Sequence, residues 1–312
     1  MRRAMSENVI AIRASSSVEK FGRIGFIRIA DDDGHMVQYG GIDANKSYDI
    51  KFDVERFGMY YSKFKVSILG LSSDTISRLT EWDEYAAYER HRAVEVYAGY
   101  YIETDGRKVP RVACIARGFI LRSIATNPPE RWLEMTCLKE LANKNPVTPT
   151  TAENLSIEDI FYIICKLNNR VSDTSRLSEQ EKNKTVGSFT FEGSASSLFD
   201  KFQSDFKMRL KDNGTSVSAI PVSEFREEPS DATTISIDNG LIDSLNIDQK
   251  GIKLRLRLNT NFDIFQWTYV MSKVNPKYNG YYYIISMRYI GHLRGNEWFV
   301  DLDTQRYIPK KG

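Results

Sequence analysis

Alternation with a period of two constrains this chain more than any other feature. In IKLRLRLN, residues 252–259, Ile252, Leu254, Leu256 and Leu258 alternate with Lys253, Arg255 and Arg257. In SYDIKFDVERF, Tyr48, Ile50, Phe52 and Val54 alternate with Asp49, Lys51, Asp53 and Glu55. Successive side chains of a strand point to opposite faces, so each segment is expected to bury one face and wet the other. KFKVSILG repeats the pattern through Phe64, Val66 and Ile68. For IKLRLRLN the strand reading accounts for all eight residues, leucines inward and long cations in water. The competing reading is a cationic comb that grips nucleic acid, with Tyr281, Tyr282 and Tyr283 as a stacking platform, in a nucleic-acid-binding β-barrel protein of OB-like type.

Total charge does not favour the comb. Lys and Arg number 43 against 41 for Asp and Glu, so no global field draws the chain to nucleic acid or anionic lipid. Cys114, Cys137 and Cys165 are odd in number and far apart, which argues for reduced core residues and against a disulfide framework or structural zinc. No unbroken apolar run matches a signal peptide or a membrane span, so the chain is expected to stay soluble where it is made and to bind no membrane.

Strand signals fill residues 1–140. IGFIRIA, DDDG and HMVQYGG read as strand, turn and strand, because Asp-Gly supplies the positive φ of a tight hairpin. Ser72 or Ser73 caps a short helix through Ile76 and Leu79 to Trp82. AVEVYAGYY, CIARGFILRSIA and RWLEMTCLK are three further strands, the last two joined at Asn127-Pro128-Pro129-Glu130. The period changes in the middle. SIEDIFYIICKLNN opens on Ser156 with Asp159 three residues on and repeats Ile160, Phe161, Ile163, Ile164 and Leu167 at helical spacing. Residues 170–185 are polar and read as an exposed loop. FTFEG is a brief strand, and SASSLFDKFQSDFKMRLKDNG a second helix burying Leu198, Phe202 and Phe206 and ending near Asn213-Gly214. From about 235 strands return: TTISID, GIKLRLRLN, FQWTYVMSK, NGYYYIISMRYIGH and EWFVDLDTQRY, followed by the tail PKKG. The expected fold class is therefore α+β, mainly β. Its expected division is 1–140, a helix-containing 141–234, and 235–312, the last short enough to recruit strands from 187–222.

No catalytic constellation emerges. His35, His91 and His292 stand in separate segments without ligand spacing, and Asp31-Asp32-Asp33-Gly34 lacks the alternating oxygens of a calcium loop. No nucleophile elbow, P-loop or dinucleotide fingerprint is present. Asp301 and Asp303 share a strand face without the context of a glycosidase pair. A hydrolase is the weakest of the readings for the same reason.

Two blocks carry a family resemblance. The C-terminal block, with Gly240-Leu241-Ile242, the strand Gly251 to Leu258, Gly280-Tyr281, Gly291-His292, Arg294-Gly295 and Trp298, resembles the closing segment of phage tail baseplate hub proteins, which are related to the hub portion of contractile-system spike proteins. It departs from the family at Asp243 and Ser244, where a turn glycine and a proline are usual. FTFEGSASSLFDKF, with Gly193, is similar to the family's strand and helix cap. Gly99 in AVEVYAGYY and Gly118 in ARGFILRSIA fall where a tail-tube-like barrel places paired strands.

The resemblance implies two tube-like β-barrels per subunit, three subunits presenting six quasi-equivalent barrels, and a homotrimeric hub that joins a hexameric tail tube to a trimeric spike or tail tip. It also implies tape-measure protein and DNA as cargo through the channel, a place in the virion baseplate after assembly in the host cytoplasm, and no catalytic residue, metal or cofactor. Lys253, Arg255 and Arg257 are then candidate channel or subunit-interface cations.

Overall fold

Why the strands dominate is visible in how their two faces are spent. In the computed structural model, which describes residues 20–42, 47–58, 63–81, 83–84, 87, 90–104, 107–139, 146–226, 229, 231–247, 251–273 and 275–307, alternation translates into pairing along nearly the whole chain. The N-terminal segment, Trp82 and the PKKG tail lie outside the described residues. The N-terminal block holds β1 (Lys20–Ala30), β2 (Met36–Gly40), β3 (Asp49–Arg56), β4 (Phe64–Leu69), helix α1 (Ser73–Leu79), β5 (Ala93–Thr104), β6 (Arg107–Ala125) and β7 (Trp132–Leu138). The middle holds β8 (Pro146–Ser156), α2 (Ile157–Leu167), β9 (Val171–Asp173), α3 (Glu179–Lys182), β10 (Thr185–Ser194), α4 (Ser197–Phe206), β11 (Met208–Asp212) and β12 (Ser216–Pro221). The C-terminal block holds β13 (Thr233–Ile235), β14 (Leu241–Ile247), β15 (Ile252–Arg257), β16 (Trp267–Val270), β17 (Gly280–His292) and β18 (Trp298–Arg306). The fold is α+β and mainly β, with helices concentrated in the middle.

The two outer blocks form one 13-stranded sheet in the order β14-β15-β18-β17-β3-β4-β7-β6-β5-β1-β2, with β16 joined to β17 and β13 to β16. The seam is β3 against β17, antiparallel from Met287 opposite Arg56 to His292 opposite Lys51. A single apolar core follows from it. Ile50, Phe52 and Val66 of the first block pack in the same cluster as Leu254, Tyr289 and Leu302 of the last. The middle has a separate core of Ile160, Phe161, Ile164, Phe189, Phe199, Phe202 and Leu210. Strands within 187–222 pair in small sheets, β10 with β8 and β12 with both β11 and β9, while Ile220 also reaches the larger core.

Local signals account for most boundaries. The β1–β2 hairpin turns at the Asp-rich segment, where Asp31 Oδ1 accepts from the backbone N–H of Asp33 at 3.0 Å and of His35 at 2.8 Å. Ser72 caps α1, and Ser156 with Asp159 forms a reciprocal capping box on α2. Three expectations are corrected. Residues 170–185 are not a plain loop: Val171–Asp173 pairs in parallel with β12, and Ser178 with Glu181 caps α3. The second helix stops at Phe206, because Lys207 takes a left-handed conformation and MRLKD continues as β11. Phe206 is accordingly half-buried, stacked on Phe189 at 5.9 Å rather than sunk in the core. β8 is a strand that its proline- and threonine-rich sequence does not announce.

Burial also sets a pH dependence. Loss of hydration holds the thiol of Cys137 above its ordinary value, pushes that of Cys165 to about 12, and raises the hydroxyls of Tyr100, Tyr282 and Tyr283 above 10.0. Groups whose folded pKa is raised stabilise fully below their unfolded pKa, and that contribution is lost as pH rises through the folded value. Lys139, lowered chiefly by burial, pulls the other way but is one group against five. Urea denaturation between roughly pH 8 and roughly pH 11 is expected to show stability falling with pH. A stability that rises over that range would contradict the burial of these groups.

Candidate functional site

The outward face of the C-terminal strands is where the opening pattern finds its partners. β15 points Lys253, Arg255 and Arg257 outward, and the neighbouring β18, WFVDLDTQR, alternates in the same way to present Phe299, Asp301 and Asp303. Register sets Lys253 opposite Asp303, Arg255 opposite Asp301 and Arg257 opposite Phe299. Arg255 donates Nε and Nη2 to the two carboxylate oxygens of Asp301 at 2.7 and 2.8 Å, and its guanidinium carbon lies 3.9 Å from the Phe299 ring centroid. Lys253 Nζ lies 3.0 Å from Asp303 Oδ1.

The pairing continues across the seam. Arg288 of β17, opposite Asp301, donates Nε and Nη2 to Asp53 of β3 at 2.7 and 2.6 Å, and Ser286 Oγ donates to Asp303 at 2.9 Å. The two-pronged bond to Asp301 holds the Arg255 pKa above its ordinary value, and that to Asp53 does the same for Arg288. The comb is thus interleaved with carboxylates. Asp301 and Asp303, a bare carboxylate pair in the sequence, are its counter-charges.

The tyrosine run does not stand open. Tyr282 is buried, and its hydroxyl donates to the Tyr278 carbonyl at 2.8 Å. Tyr283 lies 4.5 Å from Phe225 and 5.4 Å from Trp267 between ring centroids, with its hydroxyl on Gln305. Tyr281 meets Tyr269 edge to face. These rings pack the sheet, so the stacking platform of the nucleic-acid reading is absent among the described residues.

The β17–β18 turn gathers several of the singled-out positions. Asp49, itself buried, accepts from the Arg294 backbone at 3.2 Å and lies 2.8 Å from His292 Nε2. Arg23 Nη1 donates to the Gly295 carbonyl at 2.5 Å. Trp298 is buried edge-on against Phe52 at 5.3 Å. A Cβ on Gly291 would run into the Phe52 ring, so glycine is what lets β17 close on β3 there. Elsewhere, Gly240 adopts φ 95° after a 3-10 turn and launches β14. Leu241 leans on the core and Ile242 is exposed. Where Asp243 replaces the usual glycine, the ladder to β15 shifts register. Gly99 lies in β5, Gly118 in β6, Gly193 near the end of β10 and Gly280 at the start of β17.

A second set of ionic contacts fixes the middle region to the sheet. Lys139, just after β7, donates Nζ to Asp212 Oδ2 at 2.7 Å, and Arg170 Nε lies 3.5 Å from Asp212 Oδ1. Their side chains are 8%, 6% and 10% exposed for Lys139, Asp212 and Arg170. Next to it, Lys211 Nζ lies 2.5 Å and Arg56 Nη2 3.5 Å from Asp263. Sequence reasoning missed both sets. The only available signal was a single charge at the end of an apolar strand, which looks like any surface residue.

Comparison with known proteins agrees with this architecture. Residues 37–304 match the family described as Baseplate hub gp41. No curated protein matches the chain in sequence. The fold is similar to that of a tail protein from Neisseria meningitidis MC58, with a TM-score of 0.56 at 7% identity, covering 91% of this chain and 97% of that one. It is also similar to a chain of the PdpA-VgrG complex in its lidless form, with a TM-score of 0.53 at 11% identity, covering 94% of this chain and 66% of that one. With the family matched from residue 37 to residue 304, most of this chain, the chain belongs to the baseplate hub gp41 family and is a structural component of a phage tail baseplate hub.

Proposed function

We propose that the protein works as a homotrimeric ring of pseudo-sixfold outline that joins the hexameric tail tube to the trimeric spike or tail tip and lines the channel between them. Residues 1–140 and 235–312 each supply one tube-like unit, three chains supplying six, and residues 141–234 decorate the ring. Tape-measure protein and DNA pass through as cargo. Work is done by interfaces rather than by catalytic residues, and no metal or cofactor is required. Assembly takes place in the host cytoplasm before incorporation into the virion.

The observation that carries this reading is the state of the sheet's two ends. Its order runs from β14 to β2, and among the described residues each of these strands has a partner on one side only. Both carry exposed apolar side chains, Ile242 at 55% on β14 and Met36 and Val37 at 40% and 38% on β2. A lone chain with such edges is open to strand addition, and a closed ring of copies would cover them. Among the described residues, no helix is long and apolar enough to cross a membrane.

Light scattering with negative-stain imaging of the concentrated protein tests the ring. Particles of three chains with a central hole are expected. Val37→Lys with Ile242→Lys is expected to give folded monomers with a circular dichroism spectrum like that of the parent. A wild-type protein that stays monomeric at high concentration, alone and with tube and spike proteins present, would overturn the proposal.

A further inference from the structure

We propose that Asp53, Asp301 and Asp303 mask a basic strip, so that DNA slides over this face of the sheet without being held by it. The inference rests on the channel reading above and specifies how one wall of the channel treats its cargo. Four cations, Lys253, Arg255, Arg257 and Arg288, share the outward face of β15 and β17. Successive cations on β15 stand two residues apart, about 6.6 Å along a strand. That is close to twice the phosphate rise of about 3.4 Å along one strand of DNA. Uncovered, such a strip matches every second phosphate of a passing duplex.

It is not uncovered. Arg255 and Arg288 each commit Nε and Nη2 to one carboxylate at 2.6 to 2.8 Å, and Lys253 lies 3.0 Å from Asp303. Asp301 sits in register between Arg255 and Arg288, so it faces a cation on both sides. DNA affinity scales with the counterions that protein cations displace, and a strip in which three of the four cations already face carboxylates, Arg257 standing opposite Phe299 instead, displaces few. Each masking residue stands on a different strand position from the cation it covers, β18 over β15 and β3 over β17, so the sheet's register builds the mask.

The test is binding of a fluorescent 20-base-pair duplex at roughly 0.15 M salt. The wild type is expected to show no saturable binding. Asp301→Asn with Asp303→Asn is expected to gain affinity at least about tenfold, with a salt slope steeper by about 1.8 for two uncovered cations. Adding Arg255→Gln and Lys253→Gln to that variant should remove the gain. A double Asn variant with the parent's circular dichroism and melting that binds no more tightly than wild type would overturn the mask, as would tight binding by the wild type itself. Should the double variant not fold, Asp303→Asn alone, at the more exposed pair, is read by the same criterion. Scattering of each sample reports separately on the ring, so a gain in DNA affinity without ring formation would support the mask and count against the channel.

Discussion

Replacing Leu254 and Leu256 together with aspartate is expected to leave the chain unable to fold. Both leucines are 1% exposed, and they face Leu302 and Val300 across the β15–β18 ladder. Removing each from the core forfeits about 1.5–3 kcal/mol of burial, and each carboxyl placed there adds a desolvation cost of several kcal/mol. The sum is on the order of 10 kcal/mol, comparable to the entire stability of a typical domain. Because β3 and β17 join the two strand blocks into one sheet over one core, the damage should not stop at the C-terminal block. Far-ultraviolet circular dichroism should lose the sheet signal as a whole. A melting curve like that of the parent would refute the inward assignment of these leucines.

The contrast is Arg255→Ala. Its ion pair with Asp301 lies at the surface, with side chains 31% and 18% exposed, and such pairs contribute roughly 0–1 kcal/mol. Asp301 keeps Arg288 in register beside it. The fold should survive, so the outward face of the strand is expected to tolerate a substitution where the inward face does not.

Asp212→Ala is expected to have the second largest effect. Asp212 is the anion between two buried cations, Lys139 and Arg170. It also accepts from the Gly214 backbone at 2.7 Å. Removing it leaves both cations in a site where burial already lowers the Lys139 pKa against the pull of Asp212. Breaking a buried pair in this way typically costs about 3–5 kcal/mol. Since Lys139 follows the last strand of the first block and Asp212 ends β11, the loss should loosen the middle region from the sheet before either core melts. Urea denaturation followed by tryptophan fluorescence and by circular dichroism should show two transitions where the parent shows one. A variant within about 1 kcal/mol of the parent would mean that the cations find water or another partner when Asp212 is gone.

Several elements could be read directly from residues. The alternation of IKLRLRLN gives the inward and outward sets of β15 correctly, and the Ser156 to Asp159 spacing marks the start of α2 as the structure has it. Asn-Pro-Pro-Glu separates β6 from β7. Where the reading failed, two periods competed over the same residues. MRLKD prolongs the apolar spacing of Leu198, Phe202 and Phe206, yet it also alternates, and the left-handed Lys207 decides for the strand. β8 has no fully buried residue, and its half-buried Val147, Ala152 and Leu155 are not spaced by two, so its pairing with β10 leaves no alternation to read. The hub resemblance was legible in short motifs because glycines such as Gly291 mark places where two strands approach too closely for any side chain.

Which face of β3, β4 and β15 meets the core was determined by the sequence alone, because in an unbulged strand the pleat turns every second residue the same way whatever its neighbours are. Which charges meet was decided only by the tertiary structure. Arg255 and Asp301 are 46 residues apart, Lys139 and Asp212 are 73 apart, and Arg288 and Asp53 are 235 apart. A cation shows its charge and its face in the sequence, but its partner depends on strand order and register, which arise from packing the whole sheet. That is why IKLRLRLN looks like a comb for nucleic acid when read alone and becomes one half of a paired surface when β18 and β3 are laid beside it.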